Sequence, residues 1–105
     1  MIPTNDADRT DDRTVAESML RSLAESGLGY VFANFGTDHT PLIGAARLRE
    51  ADEAIPEFVV CPHEFGAMFA AYGYAAVAGD PEAVFVHVDV GTQHLGAAIS
   101  AVDHR

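Results

Sequence analysis

Among the side chains that could do chemistry in this chain, Glu64 has the most telling place. It follows Cys61-Pro62-His63 behind the apolar run Phe58-Val59-Val60, and it precedes fifteen residues, 65–79, without a charged side chain. A carboxylate where a strand gives way to a helix has two uses. It can complement the positive end of the helix dipole and do nothing else. It can also hold or move a proton, since partial desolvation tunes a carboxyl group for acid-base work. On residue chemistry alone both readings stay open.

His39, His63, His87 and His94, together with Asp38 and Asp89, are metal-ligand types, but their spacing matches no zinc pattern, so the sequence assigns no metal ligands. His87, alone in an apolar run, reads as a hydrogen-bonded core histidine. Cys61 is the sole cysteine, which excludes an internal disulfide, and its place at the end of an apolar run marks a small buried hydrophobe rather than a nucleophile. Tyr30, Phe32 and Phe35, like Phe65 and Phe69, are expected in the core rather than in a stacking platform.

These residues need elements to hold them. Thr14-Val15-Ala16-Glu17 has the spacing of a capping box, and Val15, Met19, Leu20 and Leu23 fall on one face of a helix that Gly27 ends. Residues 28–35 form a nearly continuous apolar run, the mark of a strand buried on both faces. Thr40 is placed to cap a short helix with Pro41 first, running to about Glu50, and a loop covers residues 51–56. Residues 57–61 read as a second strand, and the helix opened by Glu64 stops at Gly79-Asp80-Pro81. Residues 83–90 alternate as a third strand, with Val84, Val86, Val88 and Val90 on one face. Gly91-Thr92 begins a last helix through Leu95, Ala98, Ile99 and Val102.

Strand alternating with helix implies a three-layer α/β/α domain with a parallel sheet. Ligands of such sheets bind outside the carboxyl ends of the strands, here residues 35–38, 61–64 and 89–93. The helix after Glu64 is apolar all round and rich in small residues; Gly66 and Gly73 suggest that another backbone approaches closely. With three strands and no closing one, the domain is expected to be incomplete or to need a partner.

At 105 residues the chain has room for one domain, residues 14–105, behind a polar, acidic and disordered lead-in at 1–13. Sixteen Asp and Glu against six Arg and no Lys, a formal charge of -10, leave no basic surface for nucleic acid or anionic membranes. The acidity fits solubility or life in high salt. A free cysteine, no signal-peptide pattern and no run of about 20 apolar residues point to a soluble, cytoplasmic protein.

In combination, several of these features resemble a known family. Gly36 follows an apolar strand; His63-Glu64 is followed by Gly73-Tyr74-Ala75 and Gly79-Asp80-Pro81; then come Val86-His87-Val88-Asp89-Val90-Gly91-Thr92-Gln93. This pattern is similar to the aminopyrimidine-binding domain of thiamine-diphosphate-dependent enzymes of the acetolactate synthase type, over residues 14–101, somewhat more than the first half of that domain. The resemblance implies the thiamine-diphosphate-binding fold, with Glu64 as the catalytic residue. The matching glutamate in that family hydrogen-bonds a ring nitrogen of the aminopyrimidine and favours the tautomer that removes the thiazolium proton. It further implies cofactor contacts from Gly36, Thr37, Gly91, Thr92 and Gln93, and a substrate channel bordered by Asp38, His39, His63 and His94.

Family members commonly carry Pro-Gly where this chain has Asp38-His39, and often Asn where it has His94, so substrate preference does not transfer. The Mg2+ and diphosphate motif of the family lies in a separate carboxy-terminal domain. The resemblance therefore implies a half-site, inactive alone, that requires a diphosphate-binding domain or subunit and a homo-oligomer. Two other readings remain: a truncated, non-catalytic association module of the same fold, and a flavodoxin-like binder, disfavoured because no glycine-rich phosphate loop follows the first strand.

Overall fold

Thr14 opens the first helix as its spacing predicts. Its hydroxyl accepts from the Glu17 N–H at 3.2 Å while the Glu17 carboxylate accepts from the Thr14 N–H at 3.2 Å, closing the capping box at the start of α1 (Val15–Glu25). A computed structural model describes residues 14–49 and 54–103. The expected lead-in at 1–13, Glu50 and the centre of the following loop lie outside the described residues. Of the stripe expected on α1, Leu20 is fully buried and Leu23 packs beside it, whereas Val15, in the first turn, is exposed.

Three strands, β1 (Tyr30–Asn34), β2 (Glu57–Val60) and β3 (Ala83–Val86), form a parallel sheet in the order β2-β1-β3. Val31 pairs with Phe58 and Ala83, and Phe32 with Val59 and Val84, so each register step keeps apolar residues on both faces. The central β1 is covered on both sides: Val31, Phe32 and Ala33 are all buried, as its unbroken apolar run predicts. On one face Leu20, Ala45 and Ile55 pack with Phe58 and Phe85; on the other, Phe32 and Cys61 pack with Ala67 and Ala71. The result is the expected three-layer α/β/α arrangement.

The helices after β1, β2 and β3 are α2 (Thr40–Ala45), α3 (Glu64–Ala78) and α4 (Val90–Asp103). Gly79 ends α3 in the left-handed conformation, φ 83°, that its Gly-Asp-Pro signal implies. Gly91, Leu95 and Ala98 form the buried stripe of α4, which lies beside α3. Among the described residues no helix is long and apolar enough to cross a membrane.

The structure corrects four local expectations. Thr40 does not cap α2: a tight 3-10 turn, Thr37–His39, precedes it, and the Thr40 hydroxyl donates back to the Thr37 carbonyl at 3.0 Å. α2 is also short, passing into a second 3-10 turn at Ala46–Arg49. The third strand stops at Val86 rather than running to Val90, because Asp89 adopts φ 63°, a left-handed conformation that short polar side chains tolerate, and turns the chain into α4. Val88 and Val90 are accordingly exposed. The close approach expected at Gly66 and Gly73 is not made within the described residues, where nothing lies within 4 Å of a Cβ at either position.

Candidate functional site

The chain leaves β1 towards β2 on one side and returns as β3 on the other. The carboxyl ends of β1 and β3 therefore flank a crevice of the kind that binds ligands in open α/β sheets.

Glu64 is the first residue of α3, and only 7% of it is exposed. His63 caps the helix, its Nδ1 accepting from the Phe65 N–H at 3.0 Å. From the start of α4, His94 donates its Nδ1–H to Glu64 Oε1 at 3.0 Å. The Glu64 backbone N–H, and after it the His94 bond, hold the carboxyl below its ordinary value; desolvation acts the other way and is outweighed. Gly91 lies against this group. A Cβ there would stand 3.3 Å from Glu64 Oε2 and equally near the Cβ atoms of Val86 and His87, so the absent side chain keeps that oxygen uncrowded.

A second pair bridges the crevice. Asp38 Oδ1 accepts from His87 Nδ1–H at 2.6 Å and its Oδ2 from the Val88 N–H at 3.2 Å, fastening the turn after β1 to the end of β3. The His87 bond is the main reason that the Asp38 carboxyl also sits below its ordinary value. His39 turns inward instead. It is buried, its Nδ1 accepts from the Gly36 N–H at 2.9 Å, and its ring stacks on Phe85 with planes 6° apart. Gly36 presses on His87 so closely that a Cβ there would overlap the imidazole ring.

The structure thus brings together residues from all three expected segments: Glu64, His63, Gly91 and His94 in one group, Gly36, Asp38, His39 and His87 in the other, meeting at Gly91. Thr37, Thr92 and Gln93 are exposed around them, with Gln93 Nε2–H donating to Asp89 Oδ1 at 2.6 Å. His87 is the residue that sequence reasoning misplaced. It lies past the end of β3, and its partner is a carboxylate rather than the core. The signal that could have found it is Asp89, a residue type that often marks a turn, standing before Gly91.

Comparison with protein families matches residues 13–104 to the description "Thiamine pyrophosphate enzyme, N-terminal TPP binding domain". The chain belongs to this family. Comparison with curated proteins finds no match. Membership makes this a thiamine diphosphate-binding domain, thiamine pyrophosphate being the same cofactor, and N-terminal domains of thiamine pyrophosphate enzymes generally act within multidomain or oligomeric enzymes.

The lowered carboxyls of this thiamine pyrophosphate domain make its stability acid-sensitive in a defined direction. The ordinary values are 4.5 for Glu64 and 3.8 for Asp38. A depressed folded value means that the stabilising contribution is complete above the ordinary value and fades as pH falls through the folded one. In urea unfolding, the natural chain is therefore expected to exceed Glu64→Gln by the same margin throughout neutral pH. That margin should shrink progressively below pH 4.5; a margin that widens in acid would contradict the assignment.

Proposed function

We propose that this domain supplies the aminopyrimidine half-site of a 2-oxo acid decarboxylase or carboligase of the acetolactate synthase type. The observation that carries the reading is one buried carboxylate, Glu64, at the mouth of an apolar helix and uncrowded at Gly91. The donor set fits the group: a carboxylate that can exchange a proton with a ring nitrogen, with Gly91 leaving its Oε2 uncrowded.

In this reading Glu64 binds and tunes the pyrimidine, with Gly36, Thr37, Gly91, Thr92 and Gln93 bordering it. Asp38, His63 and His94 line the approach of the substrate, with His39 beneath them as a brace. When bound, the cofactor supplies the carbon nucleophile that adds to a 2-oxo acid. His94 has a specific part, because its hydrogen bond occupies Glu64 Oε1 and leaves Oε2, beside Gly91, for the pyrimidine.

The diphosphate and Mg2+ are assigned to another domain or subunit, without which the chain is inactive. The exposed Phe65, Phe69 and Val77 on α3, beside the open Gly66 and Gly73, form the surface proposed to pack in the dimer. A buried, free Cys61 accords with a reducing, cytoplasmic setting.

The test is titration of the isotope-labelled chain with the isolated aminopyrimidine alcohol of the cofactor, followed by amide chemical shifts. Shifts are expected at Gly36, Thr37, Glu64, Gly91, Thr92 and Gln93, and are expected to disappear in Glu64→Gln. A folded chain whose amides at these positions do not move at millimolar ligand would rule the half-site out.

A further inference from the structure

The Glu64 carboxylate has two imidazoles on it, carried by different helices. His94 Nδ1 is 3.0 Å and His63 Nδ1 3.8 Å from the same Oε1. The two rings stack, with centroids 4.9 Å apart and planes 17° from parallel. One donor atom from each of the three residues can be chosen so that all lie within 4.8 Å of one another. Ligands at about 2.0–2.2 Å from a tetrahedral ion stand about 3.3–3.6 Å apart, so closing the set requires side-chain shifts of about an ångström. The imidazoles have that freedom, their side chains being 56% and 45% exposed, while the carboxylate between them, at 9%, is the fixed point.

We propose that His63, Glu64 and His94 form a binding site for a divalent transition-metal ion of the zinc class, with two imidazole nitrogens and one carboxylate oxygen as ligands and the remaining position open to water. The ligand types select the ion. Imidazole suits zinc, copper and nickel, whereas magnesium and calcium take oxygen donors in larger number. The neighbouring Asp38, His39 and His87 are engaged elsewhere, His87 Nδ1 with Asp38 Oδ1 and His39 Nδ1 with the Gly36 N–H. Coordination through Nδ1 of His63 gives up that atom's bond from the Phe65 N–H and leaves this N–H to water.

A metal on Glu64 takes the carboxylate that the proposed function gives to the aminopyrimidine, so the ion would act as a competitive inhibitor. That consequence rests on the proposed function; the metal site itself does not.

The experiment is calorimetric titration of the untagged full chain with zinc chloride, in the absence of cofactor. One ion per chain is expected, at micromolar or tighter Kd. Even partners outside the first coordination sphere change metal affinity about 10- to 100-fold, so His63→Ala and His94→Ala should each weaken binding by about tenfold or more. Their fold is checked by circular dichroism. His87→Ala, the control for adventitious histidine binding, should leave the affinity unchanged. No binding at millimolar zinc, or equal affinity in the folded His63→Ala/His94→Ala double variant, overturns the site. With zinc saturating, the amide shifts caused by the aminopyrimidine are expected to vanish; shifts that persist beside bound zinc overturn the competition. A chain that binds zinc as described but never binds the aminopyrimidine refutes the half-site and leaves the metal site standing.

Discussion

Glu64→Gln is expected to slow proton exchange at the thiazolium carbon of the cofactor by about 100- to 10,000-fold, the range typical of a positioned acid-base group. The measurement requires the chain assembled with a diphosphate-binding domain, thiamine diphosphate and Mg2+. The substitution is close to isosteric, so the packing of this buried side chain beside Gly91 is kept. What is lost is the ability to give and take a proton. Glutamine still offers a carbonyl oxygen to His94 Nδ1–H and an amide to a ring nitrogen, so cofactor affinity should fall far less than the exchange rate. That split separates a catalytic role from a merely structural one: a fold defect would lower binding and exchange together. The lowered carboxyl value of Glu64 fits the same picture, because it keeps the group ionised and ready to accept at neutral pH. Exchange at the natural rate in a cofactor-saturated variant would remove Glu64 from the chemistry.

Where a feature depends on residues close in sequence, it was legible. The Thr14 and Glu17 box, the left-handed Gly79 and the apolar run of β1 are local patterns, and each forms as its pattern dictates. Glu64 was legible for a related reason, since a lone acid between an apolar strand and an apolar helix is conspicuous. The pair of Asp38 and His87 was not. It joins positions 49 residues apart and exists only because β3 lies beside β1, an order that no single segment encodes. The misreading of β3 has the same origin. Valines at 84, 86, 88 and 90 alternate as a strand should, yet among the described residues no strand pairs beyond Val86, and the Asp89 turn prevails over β-propensity. The resemblance puts His39 at a substrate channel; its bond from the Gly36 N–H draws it inward, where it is buried. On α3, the small residues were read as signs of a close neighbour. Ala67 and Ala71 do meet the sheet, while no described residue stands within 4 Å of a Cβ at Gly66 or Gly73.

Gly36→Ala is expected to lower stability by about 1–3 kcal/mol, the usual penalty for forcing an extra methyl into filled space. Backbone freedom is not the reason: Gly36 has φ -124° and ψ -175°, an extended conformation open to any residue. Space is. A Cβ at this position would fall within the His87 ring and 2.8 Å from the His87 Cβ. The ring cannot simply swing aside, because its Nδ1–H is held by Asp38 at 2.6 Å. Nor can the backbone retreat freely, because the Gly36 N–H is bonded to the buried His39. One of these two bonds must break, and either loss loosens the turn proposed to border the pyrimidine. The substitution should therefore weaken aminopyrimidine binding as well as lower the urea midpoint. A double-mutant cycle identifies the cause. In a His87→Ala background the ring is gone and only the Cβ contact remains, so adding Gly36→Ala should cost markedly less than it does in the natural chain. Equal penalties in the two backgrounds would mean that the glycine is required for some reason other than His87.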